Sequence, residues 1–358
     1  GISMWIADMD FRPPQAVQNA LSKMLEHGIY GYFGNQNEYL DSIQWWMKHR
    51  HNWDVPREGI FTTHGLVNGT AMCIDTFTQP GDGVILFTPV YHSFAKVIKA
   101  NNRQIIEMEL VNNNGRYEMD FEAYNKIIPT NARMVIFCSP HNPGGRVWSQ
   151  TELKQLADFV NRHNLILVSD EIHHDLTFGA KHTPMVHING VKNRLIMMTA
   201  TTKTFNIAGG HVGNVIIENP ELQKSFKKRI TALGLSPNAF GLHMATAAYS
   251  KDGVIWLDAL IKYLEKNRRL FDAGINAIPG LKSMQLEATF LAWVDFSATG
   301  MTKEEFTRRV QSQAKIAANH GSTFGRGGEY FLRFNIGTTR KNIELAVKKM
   351  NVAFKDLQ

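Results

Sequence analysis

The stretch Met134-Val135-Ile136-Phe137-Cys138-Ser139-Pro140-His141-Asn142-Pro143-Gly144-Gly145 decides the fold class. Its first five residues are apolar without alternation, as in a strand covered on both faces, and turn chemistry stops the run at once. Residues 84–87, 165–169, 195–198 and 215–217 are similar short runs and also read as buried parallel strands. Helical sequence separates them. The clearest case opens with the capping box Ser149-Gln150-Thr151-Glu152 and continues through Leu153, Leu156, Phe159 and Val160. Strands alternating with helices predict an α/β fold, an open and doubly wound, mostly parallel sheet.

After residue 250 the texture changes. Residues 255–271 predict a long helix that ends before Gly274, and Ile278-Pro279-Gly280 marks a turn. Strand-like runs at 290–296 and 330–336 flank a helix capped at Thr302, and a last helix starts near Lys341. The expectation is a large domain over 30–250 and a smaller α+β domain from 1–29 and 251–358.

The 358 residues, 44% hydrophobic, suffice for one large core and a smaller one. The net charge of +7 is spread without any block of like charge, which argues against nucleic-acid and membrane partners. Only two cysteines occur, Cys73 and Cys138, so a disulfide framework is not expected and a reducing, cytoplasmic setting is. No apolar run is long enough to span a bilayer. The 14 histidines repeat no metal-binding spacing, so a structural zinc is rejected and no metal ligand is assigned. Neither a G-x-G-x-x-G loop after a strand nor a P-loop occurs, so dinucleotide and nucleoside-triphosphate binding lack their usual loop.

Ligands of doubly wound sheets bind beyond the carboxyl ends of the strands. Here one strand runs into Asp170-Glu171-Ile172-His173, another into Asn142, and a third into Thr199-Ala200-Thr201-Thr202-Lys203. Taken singly, Asp170 reads as a helix cap, Asn142 as a turn residue and Lys203 as a solvated cation. Together they predict an acid, an amide and an amine converging on one crevice.

In this order, with Asn206 beyond Lys203, these stretches resemble the class I/II aminotransferase family, the fold type I pyridoxal-phosphate (PLP) enzymes. Met4-Trp5-Ile6-Ala7-Asp8-Met9-Asp10-Phe11, Thr88-Pro89-Val90-Tyr91 and Asp170-Glu171-Ile172-His173 are similar to its cystathionine β-lyase (C–S lyase) branch. The resemblance extends to Phe331-Leu332-Arg333-Phe334-Asn335. It implies that Lys203 carries the cofactor as an imine and serves as base at Cα. It implies Asp170 at the pyridine nitrogen, Asn142 at the phenolic oxygen, and Tyr91 stacked on the ring. His173 stands where the family often has a Tyr for that same oxygen. Gly65, Leu66 and Val67 would form the phosphate cup at a helix start, with Thr202 and, more weakly, Thr201 adding hydroxyls.

The same resemblance assigns the substrate carboxylate to Arg333, with Asn142 and the backbone at Ala7 closing on the substrate. Tyr32 would reach across a homodimer to the neighbour's cofactor and substrate, with Tyr30 a competitor for the role. Two positions depart from the family pattern: Ala200 and His211 stand where many members have a phosphate-binding Ser and Arg. The implied reaction is β-elimination from L-cystathionine or a related cysteine S-conjugate, giving thiol, pyruvate and ammonia. An aminotransferase is the alternative, since the same residues serve both. A regulatory binding protein on this fold is a third reading, against which the intact set Lys203, Asp170, Asn142 and Arg333 argues.

Overall fold

The computed structural model describes residues 1–357. Seven strands make the main sheet: β1 (Ile60–Thr63), β2 (Gly83–Thr88), β3 (Gln104–Glu109), β4 (Ala132–Cys138), β5 (Ile166–Asp170), β6 (Leu195–Thr199) and β7 (Gly213–Ile217). Their order across the sheet is β1-β7-β6-β5-β4-β2-β3. Successive side chains of a strand point to opposite faces. In β2, Val84 and Leu86 accordingly join one buried cluster while Ile85 and Phe87 join another. Helix α3 (Leu66–Phe77) contributes Met72 and Ile74 to the first. Helix α4 (Gln150–Arg162) contributes Leu153, Leu156 and Val160 to the second. The capping box that opens α4 is formed as expected, with Ser149 and Glu152 bonded reciprocally.

One strand departs from the expectation. Residues 215–217 lie in β7, which is antiparallel to both neighbours, whereas β2 to β6 pair in parallel. A parallel return usually runs through a crossover helix packed on the sheet. Between β6 and β7 the chain makes only turns and the short 3-10 segment Ala208–Gly210. It therefore turns over and comes straight back, and Lys203 lies on that turn. Edge strand β3 was not distinguished, because Gln104, Glu107 and Glu109 break up its apolar run.

A second, antiparallel sheet comprises β8 (Lys282–Ser283), β9 (Leu291–Asp295), β10 (Asn319–His320) and β11 (Phe331–Asn335), ordered β8-β9-β11-β10. The N-terminal residues Ile2–Ser3 pair with Ile316–Ala317, and Asn335 N donates to Met4 O at 2.7 Å. Other helices that matter below are α2 (Asn37–His51), preceded by α1 (Gln15–His27), and α5 (Ala239–Ala248). Helix α6 (Lys251–Asn276) does not end before Gly274. That glycine is a packing residue: a Cβ there would come within 2.3 Å of Val347 Cγ1 on helix α7 (Arg340–Ala353). Cys73 and Cys138 are both buried and unpaired. Among the described residues, no helix is long and apolar enough to cross a membrane.

Candidate active site

The winding of the main sheet reverses between β2 and β4, which lie side by side although β3 intervenes in sequence. Such a switch point opens a crevice at the strands' carboxyl ends. Tyr91 follows β2 there and Asn142 follows β4. Asp170 is the last residue of β5 rather than the first beyond it. It caps no helix; its Oδ1 accepts from Ile172 N at 3.1 Å. Burial lifts its carboxyl to about 7, a rise that the nearby Lys203 opposes. Burial thus disfavours the ionised form of Asp170, and a protonated ring nitrogen beside it would offset that cost.

Lys203 is half-buried, and its Nζ donates to Ala7 O at 2.5 Å. Burial and the nearby Arg333 charge lower its ammonium to about 8, against the pull of Asp8 and Asp170. The neutral fraction near physiological pH is thereby raised far above that of a free lysine, which makes it a usable nucleophile and base. Arg333 comes from the other sheet, opposite Trp293 of β9 and Asn319 of β10. It is 2% exposed. Its Nη1 donates to Asn142 Oδ1 at 3.0 Å, and its Nη2 to Trp5 O at 3.0 Å and Asn319 Oδ1 at 2.8 Å. Its Nε is buried with no partner. A guanidinium braced on one side and bare on another is prepared for an incoming carboxylate.

Both cations thus grip carbonyls of one short segment, Trp5 to Ala7, which bends at Ile6 and Ala7 beside the crevice. Its clamps were not singled out from the sequence. Asn206 accepts from Met9 N and donates to Met9 O and Phe11 O, and Asn335 donates to Ile6 O. Asn206 had entered only as part of the family motif and Asn335 only as a neighbour of Arg333. Their positions after a turn lysine and on a strand carried no signal of a strap.

His173 is buried, with Nδ1 unpartnered. Burial, with Lys203 and Arg333 nearby, lowers it to about 3, so it is a neutral imidazole with one N–H to donate. Gly65 sits at φ +89° as the N-cap of α3, with nothing within 4 Å of where a Cβ would be. The first amides of α3, at Leu66 and Val67, are the orphan donors that bind phosphates. Thr202 is buried, and Thr201 carries a buried hydroxyl with no partner. Tyr91 is half-buried, its ring edge-on to Phe94 at 5.4 Å. Ala200 is buried, while His211 is exposed on a left-handed turn at φ 46°.

Tyr32 is not brought into this cluster within one chain. It is fully exposed and lines a separate groove of about 1020 Å³ with residues of α1 and α5. Tyr30 lines the same groove and packs on Phe240 at 5.7 Å. The lysine, the acid, the cup of amides, and the bare Arg333 Nε and His173 Nδ1 fit pyridoxal phosphate and an amino acid in donor type and charge.

Known proteins resemble this chain over nearly its whole length. The family model for aminotransferase class I and II matches residues 4–350. Cystathionine β-lyase PatB of Bacillus subtilis is 37% identical over 98% of this chain and 92% of its own length. Cystalysin from Treponema denticola, whose crystal structure contains pyridoxal 5'-phosphate, superposes with a TM-score of 0.95 at 37% identity, covering 100% and 92% of the two chains. The PLP-bound C–S lyase from Staphylococcus hominis superposes with a TM-score of 0.91 at 31% identity, covering 98% and 90%. The chain belongs to the class I and II aminotransferase family.

Proposed function

We propose that this protein is a PLP-dependent carbon–sulfur β-lyase that cleaves L-cystathionine or related cysteine S-conjugates. The observation that carries the reading is the joint placement of Lys203 and Arg333. A depressed amine and a braced, half-bare guanidinium hold carbonyls two residues apart in one segment. The resemblance to proteins named for C–S bond cleavage supports it.

Lys203, Asp170, Asn142, His173, Tyr91, Thr202 and the amides of Gly65, Leu66 and Val67 would hold the cofactor. Bound there, pyridoxal phosphate supplies an electron sink for the pair released when a bond at Cα breaks. Arg333 orients the substrate by its carboxylate, and Asn142 fixes the guanidinium. The neutral Lys203 amine takes the Cα proton, acid–base help typically worth ~10²–10⁴-fold. Asp170 supplies the negative charge that keeps the sink cationic, and His173 offers an N–H to the phenolic oxygen. The segment over the crevice, with Ala7, excludes water from the reacting atoms. In net terms the Cα–H and Cβ–S bonds break and the thiol leaves with a proton. The remaining three-carbon fragment adds water and ends as pyruvate and ammonia.

The site is completed by a second copy of the chain, the fully exposed Tyr32 of each reaching its partner's crevice, and the enzyme acts in the cytoplasm. The large unit spans 30–250 and the small one 1–29 with 251–358, the crevice lying between them. Aminotransfer is the second reading, favoured by the family model's own name. L-cystathionine given to the purified holoenzyme should yield pyruvate and homocysteine in equal amounts. Keto acid formed only when a second keto acid is added, without pyruvate, would establish the aminotransferase instead.

A further inference from the structure

Behind the turn that carries Lys203, the end of α2 and the turn after β5 bury a second group of ionisable side chains. His51 Nε2 lies 2.8 Å from Asp175 Oδ1, and His174 Nε2 lies 3.2 Å from Asp175 Oδ2. The three potential donor atoms are within 4.8 Å of one another. The His51 and His174 side chains are 6% and 1% exposed, and that of Asp175 is fully enclosed. The cluster lines a cavity of about 290 Å³ together with Thr177 and Gly179.

Ordinary hydrogen bonding accounts for part of this cluster and leaves part over. Asp175 accepts from Trp46 Nε1 at 3.1 and 3.3 Å, from Thr204 Oγ1 at 3.1 Å, and is paired with His51. Its carboxylate is satisfied without His174. His174 Nε2 lies close to Asp175 Oδ2 but out of line for a good hydrogen bond, and this buried nitrogen has no other partner. Buried imidazole nitrogens rarely go without a well-aligned partner, and His174 lines the cavity. His182 does not fill the role, because its Nε2 is engaged by Glu171 Oε2 at 2.7 Å.

We propose that His51, His174 and Asp175 form a binding site for a first-row divalent cation of the Zn²⁺ type. Two imidazoles and one carboxylate are the donor set that such ions prefer, whereas Ca²⁺ and Mg²⁺ favour oxygen alone. Tetrahedral Zn²⁺ with bonds of about 2.0–2.1 Å puts its ligand atoms ~3.3 Å apart. His51 and His174 approach different oxygens of Asp175, at 2.8 and 3.2 Å, and one ligand atom from each residue lies within 4.8 Å of the other two, so the set must contract to close on an ion. Trp46 and Thr204 orient the carboxylate from behind, as outer partners do in metal sites. The fourth position faces the cavity and would take water. Of the cations lining that cavity, Arg50 is held by Asp258 at 2.9 Å and Lys181 is exposed. Sequence spacing gave no sign of this site, since His51 precedes Asp175 by 124 residues. The ion would tie the end of α2 to the turn below Lys203, whose neighbour Thr204 already holds Asp175.

The test uses untagged holoenzyme, stripped with a chelator, desalted and titrated with ZnCl₂ in a calorimeter. One equivalent per chain should bind, and the thermal midpoint should rise with Zn²⁺ concentration. His174→Gln and His51→Gln should each weaken binding at least ~10-fold, while His163→Gln, away from the cluster, should not. X-ray absorption at the zinc edge of the wild-type protein, which needs no variant to fold, should show two imidazole ligands. No stoichiometric binding, unchanged affinity in both cluster variants, or a zinc shell without imidazole would each overturn the proposal.

Discussion

At the residue scale, Lys203 and Arg333 show how one contact changes the meaning of a charge. Arg333 has only one carbonyl, one amide oxygen of Asn142 and one of Asn319 around its Nη atoms, with its Nε bare. A lysine at 333 would keep the charge and lose the fork. Arg333→Lys should therefore lower kcat/KM for L-cystathionine by about 10- to 100-fold, the worth of one or two charge-assisted hydrogen bonds. A loss under about twofold in steady-state kinetics would remove Arg333 from the substrate site. For Lys203 the sign follows from its partners. Burial and Arg333 disfavour the ammonium, so the amine becomes neutral as pH rises through about 8 instead of 10.5. Reductive methylation of Lys203 in cofactor-free protein, followed by mass spectrometry, should be half-maximal near pH 8. Asp8 favours the ammonium, so Asp8→Asn should move that midpoint lower. An unchanged midpoint would show that Asp8 exerts no field on the amine.

At the scale of elements, two asparagines and a glycine decide how pieces meet. Asn206, at φ 55°, clamps the N-terminal segment by three backbone hydrogen bonds. Asn206→Ala leaves those groups to find water and places Ala in a left-handed conformation. A loss of about 2–4 kcal/mol in urea unfolding is expected, with KM raised as the strap over the crevice loosens. A variant with unaltered stability and KM would mean that the remaining contacts of Asn335, Lys203 and Arg333 suffice to hold the segment. Gly274 lets α6 approach α7, and an added Cβ would meet Val347 at 2.3 Å. Gly274→Ala should cost about 1–3 kcal/mol despite the better helix propensity of Ala. Adding Val347→Ala should recover part of that cost, a coupling that a double-mutant cycle reads directly.

For the whole molecule, the question is where each crevice finds its tyrosine. Tyr32 is fully exposed, on a groove that includes none of the cluster around Lys203. If it serves the partner's crevice, a hybrid of a Lys203→Ala chain and a Tyr32→Ala chain has one intact site. Unfolding and refolding an equal mixture of these two poorly active proteins should restore roughly a quarter of wild-type activity, since half the dimers are hybrids with one of two sites complete. No recovery in mixtures whose hybrids are shown by mass spectrometry would place Tyr32 in its own chain's site, and a fully active Tyr32→Ala protein would place it outside any.

Read by itself, the sequence determined the strand ends and the chemistry on them. Apolar runs such as 134–138 must be covered on both faces, and Asn142, Asp170 and Lys203 follow them at once. Backbone geometry then carries them to one edge of the sheet with no further information. The direction of β7, the passage of α6 through Gly274, the strap clamped by Asn206 and Asn335, and the meeting of His51 with His174 and Asp175 were decided only by tertiary structure. Each depends on contacts between residues far apart in the chain, where neither periodicity nor turn chemistry reaches. Arg333 belongs to both: the sequence supplied a cation on a strand, and only the pairing of β11 with β9 and β10 buried it and left its Nε without a partner.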